Sequence, residues 1–198
     1  MSRWQAKYRG MGIRTRKIGK IARNDFCPRD LRDKLLSEAP TESIAIVLHL
    51  GFLAGLRKCE IMEARWNWID FDSGTIGVQN TGLLNNKNRK IRIIPLCETL
   101  RRFLLTIQKT DGYILELDFP IGRASYQKNF RKPFKDYMEK EGCSWVTPHT
   151  LRRTFASLLV SSNVSISKVA LWMGNSLELS QELYGHLESQ EGETNKLG

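Results

Sequence analysis

The sequence predicts a mainly α fold with a small antiparallel β-sheet or hairpin, which places it in the α+β class. Several segments have the length and apolar spacing of helices, and turn signals separate them. Two short segments near the middle of the chain have a β-type pattern instead. The chain has 198 residues, of which 41% are hydrophobic, and this is enough for one compact domain with a substantial core.

The helical segments are predicted from their length, their apolar periodicity and the residues at their ends. One apolar run is too long for a strand, and Thr147 followed by Pro148 is typical of an N-cap and a first helical residue. Pro133 is expected to kink or divide the helix that contains it. The predicted helices are 28–38, 44–56, 60–66, 98–108, 125–141, 148–160, 167–173 and 177–187.

The β element is predicted from two four-residue segments. Residues 75–78 alternate in polarity directly after the turn signal at 72–74, and residues 91–94 form a second strand that Pro95 closes. A polar loop, residues 81–88, joins them. We therefore expect a small antiparallel hairpin or sheet between the helical regions.

Positive charge is concentrated at the N-terminus. The chain has 31 Lys and Arg against 21 Asp and Glu, and residues 1–24 hold eight of the basic residues and no acidic one. This basic arm is either a solubilising or linker segment, or an arm that follows a phosphate backbone, where each cation that displaces counterions adds affinity. Nucleic acid is the favoured partner. Residues 188–198 form a polar tail.

Other classes of protein are disfavoured by what the sequence lacks. No stretch reaches the roughly 18 apolar residues of a membrane span. The four cysteines are scattered, without a CxxC pair, which argues against a disulfide framework and against a structural zinc. We expect a cytoplasmic, nucleoid-associated protein with no membrane partner.

A small group of cations interrupts the apolar pattern. Arg57 follows the long apolar run, and His149, Arg152 and Arg153 crowd the start of the helix at 148–160. At i and i+3, His149 and Arg152 share one face. Each residue alone could be a helix cap or a surface cation. Together they indicate an anion site, because guanidinium groups match phosphate oxygens in bidentate geometry.

The order of these segments resembles the tyrosine recombinase (phage integrase) family. AGLRKCEI at 54–61 is similar to the first arginine box of the family, and HTLRRTFA at 149–156 is similar to the second, H-x-L-R-x-x-F-A. LWMGNS at 171–176, followed by LYGHL at 183–187, resembles the terminal box. The likeness runs in order over most of the chain and implies the catalytic-domain fold of the family.

The resemblance also implies roles for individual residues. Arg57 and Arg152 match the two arginines that hold the scissile phosphate. His149 matches the histidine that helps in proton transfer, and Tyr184 matches the nucleophile. Glu60 matches an acidic residue that braces the first box.

Two further positions follow from the same resemblance. The hairpin lysine, which protonates the leaving oxygen, is placed at Lys87, with Lys90 as the alternative. Asn175 stands where the family usually has histidine or sometimes tryptophan. An asparagine can donate a hydrogen bond to a phosphate oxygen but cannot shuttle a proton. His186 is expected to be an exposed histidine of the tail.

The resemblance implies a site-specific DNA recombinase or integrase that cuts and rejoins strands through a covalent 3′-phosphotyrosine, with neither metal nor ATP as cofactor. Double-stranded DNA is the expected partner, with self-association into a tetramer on paired sites. The expected domain is 25–187, preceded by the basic arm 1–24, which would correspond to an interdomain linker. Family members usually carry a helical domain before it, so either a longer protein was cut or this one is naturally short.

Two alternatives remain at this stage. A catalytically impaired DNA-binding module could keep the integrase fold, and the asparagine at position 175 favours that reading. A basic RNA- or ribosome-associated protein would explain the charge but not three boxes in order.

Overall fold

The computed structural model describes residues 26–79, 91–116 and 130–187, and it confirms the predicted class. These residues form eight α-helices and a three-stranded antiparallel sheet. The helices are α1 (Arg29–Ser37), α2 (Glu42–Ala54), α3 (Lys58–Glu63), α4 (Glu98–Thr106), α5 (Lys132–Lys140), α6 (Pro148–Ser161), α7 (Ile166–Met173) and α8 (Leu177–Tyr184). The strands are β1 (Ile69–Asp70), β2 (Thr75–Val78) and β3 (Arg92–Pro95).

Helix α2 is the central element of the core. Ten of its 13 residues are buried, as expected for a helix that is apolar around its whole circumference. It packs against α1, α4 and α6. The Thr41 side chain caps its start by accepting a hydrogen bond from the Ile44 amide at 3.3 Å. Gly55, in the left-handed conformation at φ 61°, ends it two residues before Arg57.

The sheet has the order β1-β2-β3. Ile76 pairs with Ile94 and Val78 pairs with Arg92, so these four side chains share one face of the sheet. Both isoleucines are fully buried, which makes this the inward face. Strand β1 was not predicted, because two residues are too short for an alternation to show.

Helix α6 begins as predicted. Thr147 and Thr150 cap it reciprocally: each threonine hydroxyl accepts a hydrogen bond from the other residue's backbone amide, at 3.1 and 3.2 Å. Pro148 occupies the first turn, where its missing N–H costs nothing. The helix packs along α2 and thereby carries His149 and Arg152 toward the end of α2.

Several predicted boundaries were wrong. The helix predicted over 44–56 lies two residues earlier, and the one predicted over 60–66 is divided into α3 and a 3-10 turn at Trp66–Trp68. Pro133, which was expected to kink or divide its helix, lies in the first turn of α5, directly after a π-helical turn at residues 130–131, so the regular α-helix begins beside the proline. Pro95 belongs to β3. Of the predicted segment 125–141, residues 125–129 lie outside the described residues.

Among the described residues, no helix combines the length and the apolar character that crossing a membrane would require. Within the same residues, no cluster of three or more His, Cys, Asp or Glu side chains is arranged to hold a metal ion.

Candidate active site

Arg57 lies at the start of α3, in the extended conformation of an N-cap residue. Its backbone amide donates to Glu60 Oε2 at 2.6 Å, and its Nη1 donates to Glu60 Oε1 at 3.0 Å. Its Nη2 reaches across to the backbone oxygen of Gly174 at 3.1 Å. The side chain is partly exposed, so the guanidinium is held in place while one side remains accessible.

Arg152 comes from the first turns of α6 and is buried. Its guanidinium donates to the backbone oxygens of Gly55 and Met173, which are the ends of two other helices. Burial, reinforced by the nearby charge of Arg57, lowers the pKa of Arg152, although the group remains protonated at neutral pH. Two carbonyl dipoles therefore hold a buried cation in one orientation.

Asn175 joins the two arginines. Its Oδ1 accepts a hydrogen bond from Arg57 Nη2 at 3.3 Å and from Arg152 Nη2 at 3.2 Å. Two like charges that would repel each other thus share one neutral acceptor. Since Oδ1 faces the arginines, the Nδ2 donor lies on the other side of the amide.

Glu60 is the buried counter-ion of this group. Besides Arg57, it accepts two hydrogen bonds from Arg92 of β3, at 2.7 and 2.5 Å. Burial opposes the charged form, but the hydrogen bonds and charges of Arg92 and Arg57 together lower the pKa of Glu60 to about 2. Glu60 is therefore ionised at neutral pH, as a brace between two arginines.

Sequence reasoning missed Arg92. A signal was present in the strand pattern: with period 2, Arg92 shares a face with Ile94, and an arginine on the inward face of a strand needs a buried partner.

Three arginines converge on the C-terminal end of α7. Arg92 Nε donates to Trp172 O at 2.8 Å, Arg152 donates to Met173 O, and Arg57 donates to Gly174 O. The last carbonyls of a helix have no partner within the helix and carry its negative partial charge. Side chains from α3, β3 and α6 supply those partners, so this helix end is the point on which the cluster is built.

His149 lies in the first turn of α6, and its side chain is exposed. Partial desolvation, followed by the positive charges of Arg153, Arg152 and Arg57, lowers its pKa. The ring is therefore neutral at pH 7, with one nitrogen free to accept a proton.

Tyr184 is the last residue of α8, and only 4% of it is exposed. Burial raises the pKa of its hydroxyl, against the opposing effects of Arg152 and Arg153. Within the described part of the chain, neither Tyr184 nor His149 hydrogen-bonds to the arginine cluster, but the charges of Arg152 and Arg153 act on both groups.

The structure thus brings Arg57, Arg152 and Asn175 into direct contact and places His149 and Tyr184 within electrostatic range of Arg152. The two lysine candidates, Lys87 and Lys90, lie outside the described residues, as does the basic arm 1–24.

Residues 22–191 match the phage integrase family, and the chain belongs to that family. A tyrosine recombinase XerC of Xanthomonas campestris pv. campestris (strain B100) is 28% identical over 167 residues, which are 82% of this chain and 47% of that protein. A tyrosine recombinase of Pseudothermotoga lettingae is 26% identical over 186 residues, or 91% of this chain and 62% of that protein.

Solved structures share the fold. The crystal structure of XerA recombinase matches with a TM-score of 0.66 at 18% identity, over 91% of this chain and 65% of that one. The Tn1549 transposon integrase, in complex with circular intermediate DNA, also matches at 0.66 and 18%, over 89% of this chain and 67% of that one. The catalytic domain of bacteriophage HP1 integrase matches at 0.58 and 18%, over 87% and 91%.

The chain covers very different shares of the proteins that it matches. The chain spans about half the length of the XerC proteins that it matches but nearly the whole of the HP1 integrase catalytic domain. The shared fold is therefore that of a catalytic domain.

Proposed function

We propose that this chain is the catalytic domain of a tyrosine-type site-specific DNA recombinase, which cuts and rejoins strands through a covalent 3′-phosphotyrosine. The observation that carries the proposal is the meeting of Arg57 and Arg152, from different elements, on the shared acceptor Asn175. Membership of the phage integrase family supports it, and so does the fold shared with an integrase bound to DNA.

Arg57 and Arg152 are assigned to the two non-bridging oxygens of the scissile phosphate. Negative charge develops on these oxygens in the transition state, and donors fixed beforehand stabilise it without reorganising. The contacts of Arg152 to two helix ends and of Arg57 to Glu60 provide that prior orientation. The Nδ2 group of Asn175 is assigned as a further donor to the phosphate.

Tyr184 is assigned as the nucleophile. Its Oη forms a bond to phosphorus while the bond from phosphorus to the 5′ oxygen breaks, and the 3′ phosphate stays on the tyrosine. The buried hydroxyl must lose its proton during attack, and the charges of Arg152 and Arg153 favour the tyrosinate. The neutral ring of His149 can accept that proton.

The departing 5′ oxygen needs a proton, which we assign to Lys87, with Lys90 as the alternative. Rejoining is the reverse reaction: a 5′ hydroxyl attacks the phosphotyrosine and releases the tyrosine. Because the phosphotyrosine bond conserves the energy of the phosphodiester, the cycle needs no ATP.

Duplex DNA is the proposed partner, at the nucleoid. Residues 25–187 are the proposed catalytic domain, and the basic arm 1–24 is proposed to follow the DNA backbone beside it as an interdomain linker. Assembly of a tetramer on paired sites is part of the same proposal. It would place four nucleophiles on two duplexes.

The test is formation of a covalent adduct in EDTA. The protein is incubated with a nicked suicide duplex, and denaturant-resistant adduct is mapped by mass spectrometry. We expect an adduct on Tyr184 that is lost in Tyr184→Phe and kept in the matched control Tyr113→Phe. Tyr113 pairs with Arg65, away from the arginine cluster. DNA binding by the wild type with no adduct at all would contradict the enzyme and favour a DNA-binding module.

A further inference from the structure

Arg92 is a cation on the inward face of the sheet, and the proposed mechanism assigns it no step. Its side chain is 12% exposed and lies between Glu60 and the C-terminal end of α7. Its Nη1 and Nη2 hold both oxygens of Glu60, and its Nε holds Trp172 O, so all three nitrogens are engaged within the protein. Three of the five N–H groups of Arg92 are thus donated to the protein, two of them to Glu60.

Arg92 affects the charge of the Arg57 environment through Glu60, which contacts both arginines. Glu60 is only 2% exposed at its side chain and contacts both arginines. The contact of Arg92 Nη2 with this carboxylate is 2.5 Å, shorter than the 3.0 Å contact of Arg57 Nη1. With Arg92 absent, Glu60 would be the counter-ion of Arg57 alone, and the pair would have no net charge to offer an anion.

Arg92 also fixes the helix end that holds the other two arginines. It binds Trp172 O, while Arg152 and Arg57 bind the next two carbonyls along the chain. Its Cδ lies 3.2 Å from the position that a Cβ on Gly174 would occupy, so β3 and the end of α7 are in close contact.

We propose that Arg92 is a positioning residue for the scissile phosphate: it neutralises Glu60 and anchors α7, so that the charge and orientation of Arg57 remain available to the phosphate. This inference rests on the proposed function. It separates the roles within the cluster, with Arg57 and Arg152 facing the substrate and Arg92 acting only through Glu60 and the α7 carbonyls.

The test compares Arg92→Gln, Glu60→Gln and the double variant with the wild type. Arg102→Gln is the matched control, since Arg102 is an exposed arginine paired with Glu98 on α4. For each protein we measure the dissociation constant for the suicide duplex, the single-turnover rate of adduct formation at saturating duplex, and the unfolding midpoint.

We expect Arg92→Gln to lower the saturated rate by about ten- to a hundredfold, which is less than the roughly 10²- to 10³-fold for loss of an oriented donor, because Arg92 acts through other groups. Its dissociation constant should change no more than that of Arg102→Gln, because the proposal assigns Arg92 no contact with the DNA. Glu60→Gln added to Arg92→Gln should restore part of the rate, since a neutral amide at position 60 no longer cancels the charge of Arg57. A merely structural role predicts no such recovery.

An unchanged rate in Arg92→Gln would overturn the inference, and so would a double variant that is as slow as Arg92→Gln or slower.

Should the wild type form no adduct, the recombinase function fails, and stabilisation by inorganic phosphate at constant ionic strength becomes the readout. Arg92→Gln should then lose the phosphate-dependent rise in unfolding midpoint, and the double variant should regain part of it. Equal phosphate responses in all variants would overturn the role of Arg92 separately.

Discussion

Asn175 shows how one side chain can organise two charged neighbours. Its amide oxygen accepts from both Arg57 and Arg152, so the repulsion between two guanidinium groups is offset by a shared dipole. A tryptophan ring nitrogen only donates, and a neutral histidine offers one acceptor nitrogen. The asparagine at this position is therefore compatible with an ordered arginine pair.

Replacing Asn175 with alanine should lower the saturated rate of adduct formation by about ten- to a hundredfold. Both arginines lose a common acceptor but remain in place, so the loss is smaller than the roughly 10²- to 10³-fold for removal of an oriented donor. The measurement is single-turnover cleavage of the suicide duplex. Asn67→Ala is the control, as Asn67 is exposed on the 3-10 turn after α3. A wild-type rate in Asn175→Ala would show that the other contacts of the arginines are sufficient.

Glu60 should make the free energy of unfolding depend on pH in the acid range. Its pKa is about 2 in the folded protein, below the ordinary 4.5, so the carboxylate contributes stability that is complete above pH 4.5 and is lost as the pH falls toward 2. This lowering of the pKa corresponds to about 3 kcal/mol of free energy of unfolding. We expect the difference in free energy of unfolding between the wild type and Glu60→Gln to shrink over this range in urea titrations. A difference that is independent of pH would contradict this account.

At the scale of elements, the site is assembled from helix ends. The end of α2 provides the carbonyl of Gly55 for Arg152, and the start of α3 carries Arg57. The end of α7 provides three successive carbonyls for arginines from three other elements. Backbone groups left unpaired where helices stop are thus the partners that orient the cationic side chains.

The end of α2 is sensitive to a single methyl group. Gly55 has φ 61°, and a Cβ there would lie 2.4 Å from Cδ1 of Phe155 on α6. Gly55→Ala should therefore cost about 2–4 kcal/mol, from the left-handed conformation and the overlap together. Equilibrium unfolding checks this.

The control for that substitution is Gly77→Ala, because the nearest atom to a Cβ at Gly77 is 3.8 Å away and its φ is not positive. It should change stability by about 1 kcal/mol or less. Equal losses in the two variants would show that α2 and α6 can shift apart at little cost.

At the scale of the whole molecule, charge is unevenly distributed along the chain, and this predicts how binding responds to salt. Replacing the eight basic residues of 1–24 with glutamine should weaken duplex binding and reduce the slope of log affinity against log salt by up to about 7. Titrations at several salt concentrations measure it. Lys132→Gln with Lys135→Gln, two exposed lysines of α5, is the control. An unchanged slope would identify the arm as a linker or solubilising segment.

The elements that sequence reasoning predicted well have local causes. The apolar run of α2, the Thr147 cap of α6 and the alternation of β2 are all decided within a few residues. The errors arose where local signals are weak or ambiguous. Strand β1 has two residues, and no local signal marks the change from α3 to the 3-10 turn at Trp66–Trp68.

The candidate site was predictable only in part, because sequence reasoning detects local patterns and not contacts between distant residues. Arg57, Arg152, Asn175 and Tyr184 stood out because three segments in order resembled known boxes, and their catalytic roles stay predictions. Arg92 lies in no box, and its importance comes from contacts with Glu60 and Trp172, 32 and 80 residues away. Separations of that size leave no periodic signal in a sequence.

The sequence by itself determined the class of fold, the position of the main helices and the family to which the chain belongs, because each follows from local patterns or ordered motifs. Only the tertiary structure decided which groups meet: that Asn175 serves both arginines, that Glu60 is shared between Arg57 and Arg92, and that the end of α7 holds all three cations. Hydrogen bonds depend on distances of about 3 Å, and packing alone brings distant residues that close.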